Sequence, residues 1–339
     1  MTAPAMLRLD AADAQRAQSQ RALQANDRAF MGIPWPWQAV TDVLYHVQPG
    51  TVHIIAAPSG NGKTTFAVSA ALWWIEHNVT VVYAGFERSP EDLRRYFAAV
   101  SLGLHPGRVL SGRWEEDDDF LSQRQAMEDR LREMAANYHP WDKLHFTPHD
   151  YASVRAIEDV GATVRAYDHG FPALAIIDHA DHLGRGRADG IRASVDVLTA
   201  MQSHAKAHGT RWLVFKQINN RELNKSGTTL PRHRPMPVSA ISLGQLSEEI
   251  SWTVSCLYQP LRLDVTTDEL KAVNEGRSEL RSVLWEGVTC LALLKDRDMG
   301  QAGRKMLLGW DNGRIVDAHP SVRLAVEAKT HGIKTHSGF

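Results

Sequence analysis

The chain has 339 residues, and its 38 lysine and arginine residues nearly balance 39 aspartate and glutamate residues, giving a formal net charge of −1. Hydrophobic residues make up 43% of the sequence and charged residues 23%, which is ordinary for a globular protein. This composition excludes a disordered chain, a collagen and a low-complexity protein. The near-zero net charge gives no sign of a nucleic-acid partner, because proteins that bind nucleic acid usually carry a basic excess.

The two cysteines, Cys256 and Cys290, are too few for a disulfide framework or a four-cysteine zinc site. We expect both to be buried small apolar residues in a reducing compartment. The sequence has no apolar run that would span a bilayer and no basic-then-apolar signal pattern at its N-terminus. It therefore predicts a soluble intracellular protein without a membrane partner.

Residues 1–31 differ in composition from the rest of the chain. Residues 10–30 are rich in Ala, Gln and Arg, contain no Gly or Pro, and carry few large apolar side chains. They predict a helix with little apolar surface to bury. Both a frayed, solvated helix and an arm that docks on a neighbouring subunit fit this pattern. Two prolines end the helix at residues 32–37, so we expect an N-terminal arm (1–31), one main domain (32–320) and a C-terminal tail (321–339).

From residue 51 onward, short apolar runs alternate with segments of helical composition. Such alternation indicates parallel crossovers, with helices on both faces of one sheet. The predicted strands cover residues 51–57, 79–86, 144–146, 174–178, 211–215, 251–258, 287–294 and 305–310. The predicted helices cover residues 64–78, 90–102, 113–136, 153–169 and 191–208. The sequence therefore predicts an α/β domain.

Residues 57–65, Ala-Pro-Ser-Gly-Asn-Gly-Lys-Thr-Thr, follow a predicted strand and open a predicted helix. Small residues let the backbone wrap a phosphate, and the helix N-terminus adds backbone N–H groups and a favourable dipole. Ala57 stands where such loops usually have their first glycine, which narrows the backbone angles but does not exclude the loop. We expect Lys63 to reach the β- and γ-phosphates of a nucleotide and Thr64 to bind Mg²⁺. The expected nucleotide contacts are Ser59, Gly60, Asn61, Gly62, Lys63, Thr64 and Thr65.

Three polar residues lie at the ends of other predicted strands. Glu87 could orient an attacking water, although a surface glutamate at a turn would have the same spacing. Asp178 lies where a Mg²⁺-linked acid is expected, at the carboxyl end of a parallel strand. Gln217 could sense the γ-phosphate, or it could simply cap the strand. Residues 178–182, Asp-His-Ala-Asp-His, would suggest a transition-metal site only if a further cluster of ligands existed.

Taken together, these motifs resemble the RecA-like ATPase domain of DnaB-type hexameric replicative helicases. The resemblance is collinear over most of residues 32–316, and it rests on several short motifs in the same order. These motifs are residues 32–34, 47–50, 57–65, 86–93, 109–113, 176–178, 217–221, 247–250 and 295–297. Residues 217–221 depart from the family pattern Gln-x-Asn-Arg by one extra Asn, and residues 261–286 look longer than usual.

The resemblance implies a RecA-like P-loop NTPase that uses ATP and Mg²⁺ and forms a hexameric ring. It implies that Glu87 orients the attacking water and that Asp178 supports the metal ion. It also implies that Arg297 and Lys295 act on the ATP of a neighbouring subunit. The family further implies movement from 5′ to 3′ on single-stranded DNA, and primase, loader or polymerase partners. The family's separate N-terminal domain is missing, so we expect a minimal version, in the cytoplasm of a bacterial or phage-infected cell.

Two predicted loops, residues 184–188 and 224–234, combine basic residues with small ones, and they follow the strands that end near Asp178 and Gln217. The resemblance implies that these loops line the channel of the ring and bind DNA phosphates. Such binding would be independent of base sequence and sensitive to salt. A mobile solvated turn is the simpler interpretation of a short Arg-Gly run. The candidate DNA contacts are Arg185, Arg187, Lys225, Arg232 and Arg234. The net charge of one chain does not argue against them, because acid is concentrated at residues 115–119, which we place on the outside.

Two other functions share these motifs. A RecA-like strand-exchange ATPase would form open filaments instead of closed rings. An ATP-switched adaptor or loader would recruit replication proteins without acting as a motor. A small-molecule phosphotransferase has less support, because no Arg-rich acceptor site stands out.

Overall fold

A computed structural model describes residues 32–113, 119–147, 153–167, 172–180, 190–218, 251–274, 277–297, 300–319 and 322. Several predictions concern residues outside these ranges: the N-terminal helix (1–31), most of the acidic run (115–119), the two basic loops and nearly all of the C-terminal tail. The described part begins with a short antiparallel pair, β1 (Ile33–Pro34) and β2 (His46–Val47), with helix α1 (Gln38–Leu44) between them.

One nine-stranded sheet organises the rest of the described residues. Its strand order is β11-β10-β9-β8-β3-β7-β6-β4-β5. Strands β3 to β8 are parallel to one another, whereas β9, β10 and β11 continue the sheet in antiparallel fashion. The strands are β3 (Val52–Ala57), β4 (Thr80–Gly85), β5 (Leu144–Phe146), β6 (Ala173–Asp178), β7 (Trp212–Gln217), β8 (Thr253–Tyr258), β9 (Val288–Asp296), β10 (Lys305–Asp311) and β11 (Arg314–Asp317). The predicted mostly parallel sheet is confirmed.

Helices cover both faces of this sheet, because alternate residues of each central strand enter different apolar clusters. On one face, Ile55 of β3 packs in a cluster with Phe66 and Phe97. On the other face, Ile54 packs in a cluster with Val160 and Leu198. The helices after α1 are α2 (Lys63–Glu76), α3 (Pro90–Ser101), α4 (Pro106–Leu110), α5 (Phe120–Ala135), α6 (Val154–Tyr167), α7 (Gly190–His208) and α8 (Thr267–Asn274).

The elements that the sequence analysis missed are short. Helix α8 lies within the long 261–286 segment, and β11 has four residues. A signal for β11 was present, since Asn312 and Gly313 form the two-residue turn between β10 and β11, with φ angles of 42° and 79°. An Asn-Gly pair between two strands is the usual signature of a tight hairpin. Strand β7 also continues through Gln217, past the predicted end at residue 215.

Both cysteines are buried and unpaired, as predicted. Among the described residues, no helix is both long enough and apolar enough to cross a membrane.

A histidine lies in the middle of this fold, on central strand β3. His53 is 1% exposed, and its ring nitrogens lie 2.8 Å from Oγ1 of Thr253 and 3.1 Å from Oγ1 of Thr51. Burial lowers the pKa of His53 to about 4, because the charged imidazolium would lose its hydration there. The side chain is therefore neutral in the folded protein at neutral pH.

We predict that the free energy of unfolding decreases as the pH falls through this histidine's titration range. The unfolded chain takes up the proton near pH 6.5, whereas the folded chain resists until about pH 4, so stability is lost between these values. The loss from this one group is at most about 3 kcal/mol. Urea unfolding at pH 7.5 and pH 5 would measure it. His53→Gln should make the dependence shallower, and equal slopes for wild type and His53→Gln would contradict the prediction.

Candidate functional site

The phosphate-binding loop predicted at residues 57–65 joins β3 to α2. Gly60 and Gly62 have φ angles of 78° and 80°, in the left-handed region that favours glycine. A Cβ on Gly62 would also lie 2.8 Å from the ring of Trp310. Ala57 is the last residue of β3, in extended backbone that any residue adopts, so its methyl group does not hinder the turn. The motif's unusual first residue therefore fits the loop.

Lys63 lies at the start of α2, directly beside this loop. Its side chain is largely buried, and Nζ donates to the carbonyl oxygens of Ala57 and Pro58, at 3.3 Å each. Gly62 is the N-cap residue and provides no side-chain cap for the first N–H groups of α2. Uncapped N–H groups at a helix N-terminus attract anions, and the ammonium of Lys63 adds a full positive charge. This arrangement suits the phosphates of a nucleotide.

Asp178, the last residue of β6, is almost completely buried. Its Oδ2 accepts a hydrogen bond of 2.7 Å from the hydroxyl of Tyr83, whereas its buried Oδ1 has no hydrogen-bond partner among the described residues. Burial raises the pKa of Asp178, and the hydroxyls of Tyr83 and Thr64 oppose this shift. Mg²⁺ prefers carboxylate and hydroxyl oxygens, so Thr64 and Asp178 form a donor pair that fits it.

Glu87 and Gln217 lie at the same edge of the sheet. Glu87 follows the end of β4; its side chain is 54% exposed, and its Oε2 lies 3.3 Å from Nε2 of His179. Gln217 ends β7 and is the register partner of Ala57 in the parallel β3–β7 pair. The fold therefore brings Lys63, Glu87, Asp178 and Gln217 together at the carboxyl ends of four parallel strands, where α/β proteins bind their ligands.

Lys295 and Arg297 lie at the opposite edge of the sheet. Asp296 of β9 is the register partner of Thr253, and Thr253 is the register partner of His53. His53 precedes the end of β3 by four residues, or about 13 Å along the strand. Nζ of Lys295 donates to the carbonyl oxygen of Ser251 at 3.1 Å, and Arg297 is exposed. The chain does not bring this pair to its own phosphate loop.

Beside the phosphate loop lies a cavity of about 190 Å³ that the sequence analysis did not anticipate. Trp310 of β10 forms one wall and is 36% exposed. Gln259 and Gly287 border the cavity and also flank residues 261–286, so the long segment inserts next to it. Residues from the parallel and the antiparallel parts of the sheet line this cavity together. Contacts between such distant segments produce no local pattern in the sequence. The lining residues are Gly60, Asn61, Gln259, Gly287, Thr289 and Trp310.

The remaining predicted site residues lie outside the described ranges. These are Arg185, Arg187, Lys225, Arg232 and Arg234, and the same holds for the second half of the Asp-His-Ala-Asp-His run and for most of the 217–221 and 247–250 motifs. Within the described part of the chain, no group of three or more His, Cys, Asp or Glu side chains is arranged to hold a metal ion.

Comparison with solved structures identifies the fold. The chain is similar to a DnaB-like replicative helicase whose structure was described with its interactions with primase, with a TM-score of 0.66 and 15% identity, over 91% of this chain and 67% of the other. It is also similar to a second solved structure, of an ATPase domain, with a TM-score of 0.67 and 15% identity, over 91% of this chain and 98% of that domain. No protein-family model and no curated protein matches the sequence.

The chain therefore has a RecA-like P-loop fold, with the phosphate loop and two acidic residues at one edge of a mostly parallel sheet. More particularly, it has the fold of the ATPase domains of DnaB-type helicases, so the resemblance drawn from the motifs is confirmed at the level of the fold.

We predict that Tyr83→Phe weakens Mg²⁺-dependent nucleotide binding. The substitution removes the hydroxyl that lowers the pKa of Asp178 and holds its Oδ2. A hydrogen bond to a charged group contributes roughly 1.5–3 kcal/mol, so half-saturation should need at least about tenfold more Mg²⁺. Titrating Mg²⁺ against binding of a fluorescent ATP analogue measures this. Tyr258→Phe is the matched control, since Tyr258 is also buried in the sheet but lies on β8; an unchanged Mg²⁺ midpoint in folded Tyr83→Phe would refute the assignment.

Proposed function

We propose that this protein is an ATP-driven DNA helicase of the DnaB type that assembles as a hexameric ring and moves on single-stranded DNA from 5′ to 3′. One observation carries the proposal. Lys63, Glu87 and Asp178 converge at one edge of the sheet, while the Lys295–Arg297 pair lies at the other edge. A site divided in this way is complete only when a second copy of the chain supplies its opposite edge.

Within one subunit, Lys63 and the N-terminal amides of α2 hold the β- and γ-phosphates of ATP. Thr64 and Asp178 hold Mg²⁺, which neutralises the charge that develops on the phosphates. Glu87 orients the attacking water, and Gln217, next to Ala57 in the sheet, contacts the γ-phosphate. The cavity lined by Trp310 receives the nucleobase, because a partly exposed indole and a volume of about 190 Å³ suit a flat ring.

Between subunits, Arg297 contacts the γ-phosphate bound by its neighbour, with Lys295 beside it. An arginine supplied in this way stabilises the charge of the transition state and contributes roughly 10³–10⁵ to the rate. Hydrolysis thus depends on assembly. This dependence favours a ring, because head-to-tail interfaces close into rings when the rotation between subunits permits.

DNA contacts are assigned to the two basic loops that follow β6 and β7 in the sequence. Arg185, Arg187, Lys225, Arg232 and Arg234 would bind the phosphates of single-stranded DNA without reading bases. In a ring these residues repeat in every subunit, so a channel is basic although each chain has a net charge of −1. Primase, loader or polymerase partners, and a place in the cytoplasm of a bacterial or phage-infected cell, belong to the same proposal.

We expect Lys63→Ala to abolish ATP hydrolysis that single-stranded DNA stimulates in the wild type. The substitution removes the positive charge at the phosphate loop, while Lys206→Ala, at an exposed lysine of α7, should keep the full rate. Phosphate release with and without DNA is the measurement. An unchanged stimulated rate in Lys63→Ala would show that the site is wrong.

Unwinding of forked duplexes with either a 5′ or a 3′ tail tests the motor itself. We expect strand separation only when a 5′ single-stranded tail is present, and closed rings by electron microscopy with bound ATP. DNA-stimulated hydrolysis without unwinding would favour the ATP-switched adaptor, and open filaments would favour a strand-exchange ATPase.

We further expect that Lys63→Ala and Arg297→Ala subunits, each inactive alone, regain activity when they are mixed. In an equimolar mixture, about one quarter of the interfaces join an intact phosphate loop to an intact arginine. The recovered rate of hydrolysis should therefore approach that fraction. Mixtures that stay as inactive as the single variants would exclude the action of Arg297 in trans.

A further inference from the structure

The ends of β4 and β6 are joined by contacts that the phosphate-loop chemistry does not itself require. The N–H of Phe86 donates to the carbonyl oxygen of Asp178 at 2.9 Å, which fixes the backbones of the two strand ends to each other. Directly after these two residues, Glu87 meets His179, with Oε2 and Nε2 3.3 Å apart. The two acidic residues of the site are thus linked through neighbouring positions on neighbouring strands.

The two partners of the side-chain contact differ strongly in freedom. The side chain of His179 is 2% exposed, whereas that of Glu87 is 54% exposed. Packing therefore fixes the imidazole, and the glutamate has room to adopt several rotamers. A contact between a fixed group and a movable one restricts the movable one. The contact with His179 therefore limits the positions available to the carboxylate of Glu87.

Restriction of this carboxylate matters because a water-orienting group works only from one position. A misplacement of about 1 Å can cost about 10²-fold in rate. His179, the fixed partner in this contact, directly follows Asp178 in the chain. Its imidazole therefore keeps the carboxylate of Glu87 close to Asp178, the residue proposed to support Mg²⁺. Gln217 ends β7, which lies on the far side of β6 from β4 in the strand order.

We propose that His179 is a positioning residue for Glu87, holding the carboxylate in the orientation from which it directs the attacking water. The inference rests on the proposed ATPase function and adds a residue to it. In this role His179 acts on Glu87 and on neither ATP nor water, so its effect appears in the rate of hydrolysis and not in the binding of nucleotide.

Three substitutions of His179 separate the effect of side-chain length from the effect of a hydrogen-bond donor. The amide nitrogen of Gln extends about as far as Nε2 of histidine, whereas that of Asn is one methylene shorter, and Leu fills the space without a donor. We expect His179→Asn and His179→Leu to lower kcat by about 10- to 100-fold, with KM for ATP within about twofold of wild type. His179→Gln should recover most of the lost rate. The dissociation constant of a non-hydrolysable ATP analogue should be the same in all of them.

The same substitutions in a Glu87→Gln background complete the test. If His179 acts through Glu87, then His179→Asn should hardly lower kcat further in the Glu87→Gln background. Both substitutions remove the same interaction, so their effects on kcat are not additive. A merely structural role would lower the rate by the same factor in both backgrounds. Thermal melting of each variant, with and without the ATP analogue, verifies that the chains being compared are folded.

These experiments distinguish failure of the positioning role of His179 from failure of the proposed ATPase function. If the wild type does not hydrolyse ATP, the proposed function falls. If the wild type hydrolyses ATP but His179→Asn keeps its kcat, raises it or shows additive losses with Glu87→Gln, the positioning role falls and the ATPase assignment stands. Loss of kcat at constant KM, rescue by Gln and non-additivity with Glu87→Gln together establish it.

Discussion

Parallel pairing of the central strands is the constraint on which the rest of the structure depends. Because β3, β7, β6 and β4 run in the same direction, their last residues meet at one edge. Each strand contributes one group there: the phosphate loop, Gln217, Asp178 and Glu87. Apolar clusters on both faces bury these strands. Asp178 shows this constraint most clearly, since its Oδ1 is buried at this edge without a hydrogen-bond partner among the described residues.

Beyond β8 the strands pair antiparallel, so β9 ends at the edge of the sheet opposite to the phosphate loop. Strand β9 reverses direction, so its end carries Lys295 and Arg297 away from the phosphate loop of the same chain. The reversal also brings β10 back, and Trp310 then reaches the loop. One sheet thereby carries the phosphate loop at one edge and the Lys295–Arg297 pair at the other, which is the geometry that the proposed assembly uses.

Sequence reasoning reached the residues whose signal is local. The phosphate loop was recognised from consecutive residues, and Glu87, Asp178 and Gln217 from their positions after apolar runs. The sequence does not indicate the roles of Tyr83 and Trp310, and it presents His179 only as part of a possible metal-binding run, because the contacts of all three join strands that are distant in the chain. In the sequence, Tyr83 is one residue of a buried apolar run. The pairing of β4 with β6 places Oδ2 of Asp178 2.7 Å from the hydroxyl oxygen of Tyr83. The Asn312–Gly313 turn, in contrast, has a local signature in the sequence.

The sequence by itself determined the alternation of strands and helices, the phosphate loop and the order of the motifs, because each depends on spacing along a few consecutive residues. Only the tertiary structure decided which side chains meet. It paired Tyr83 with Asp178 and His179 with Glu87, placed Trp310 over Gly62, and put Arg297 at the far edge of the sheet. These contacts depend on strand order and register, which follow from packing the whole chain around β3 and which no short stretch of sequence encodes.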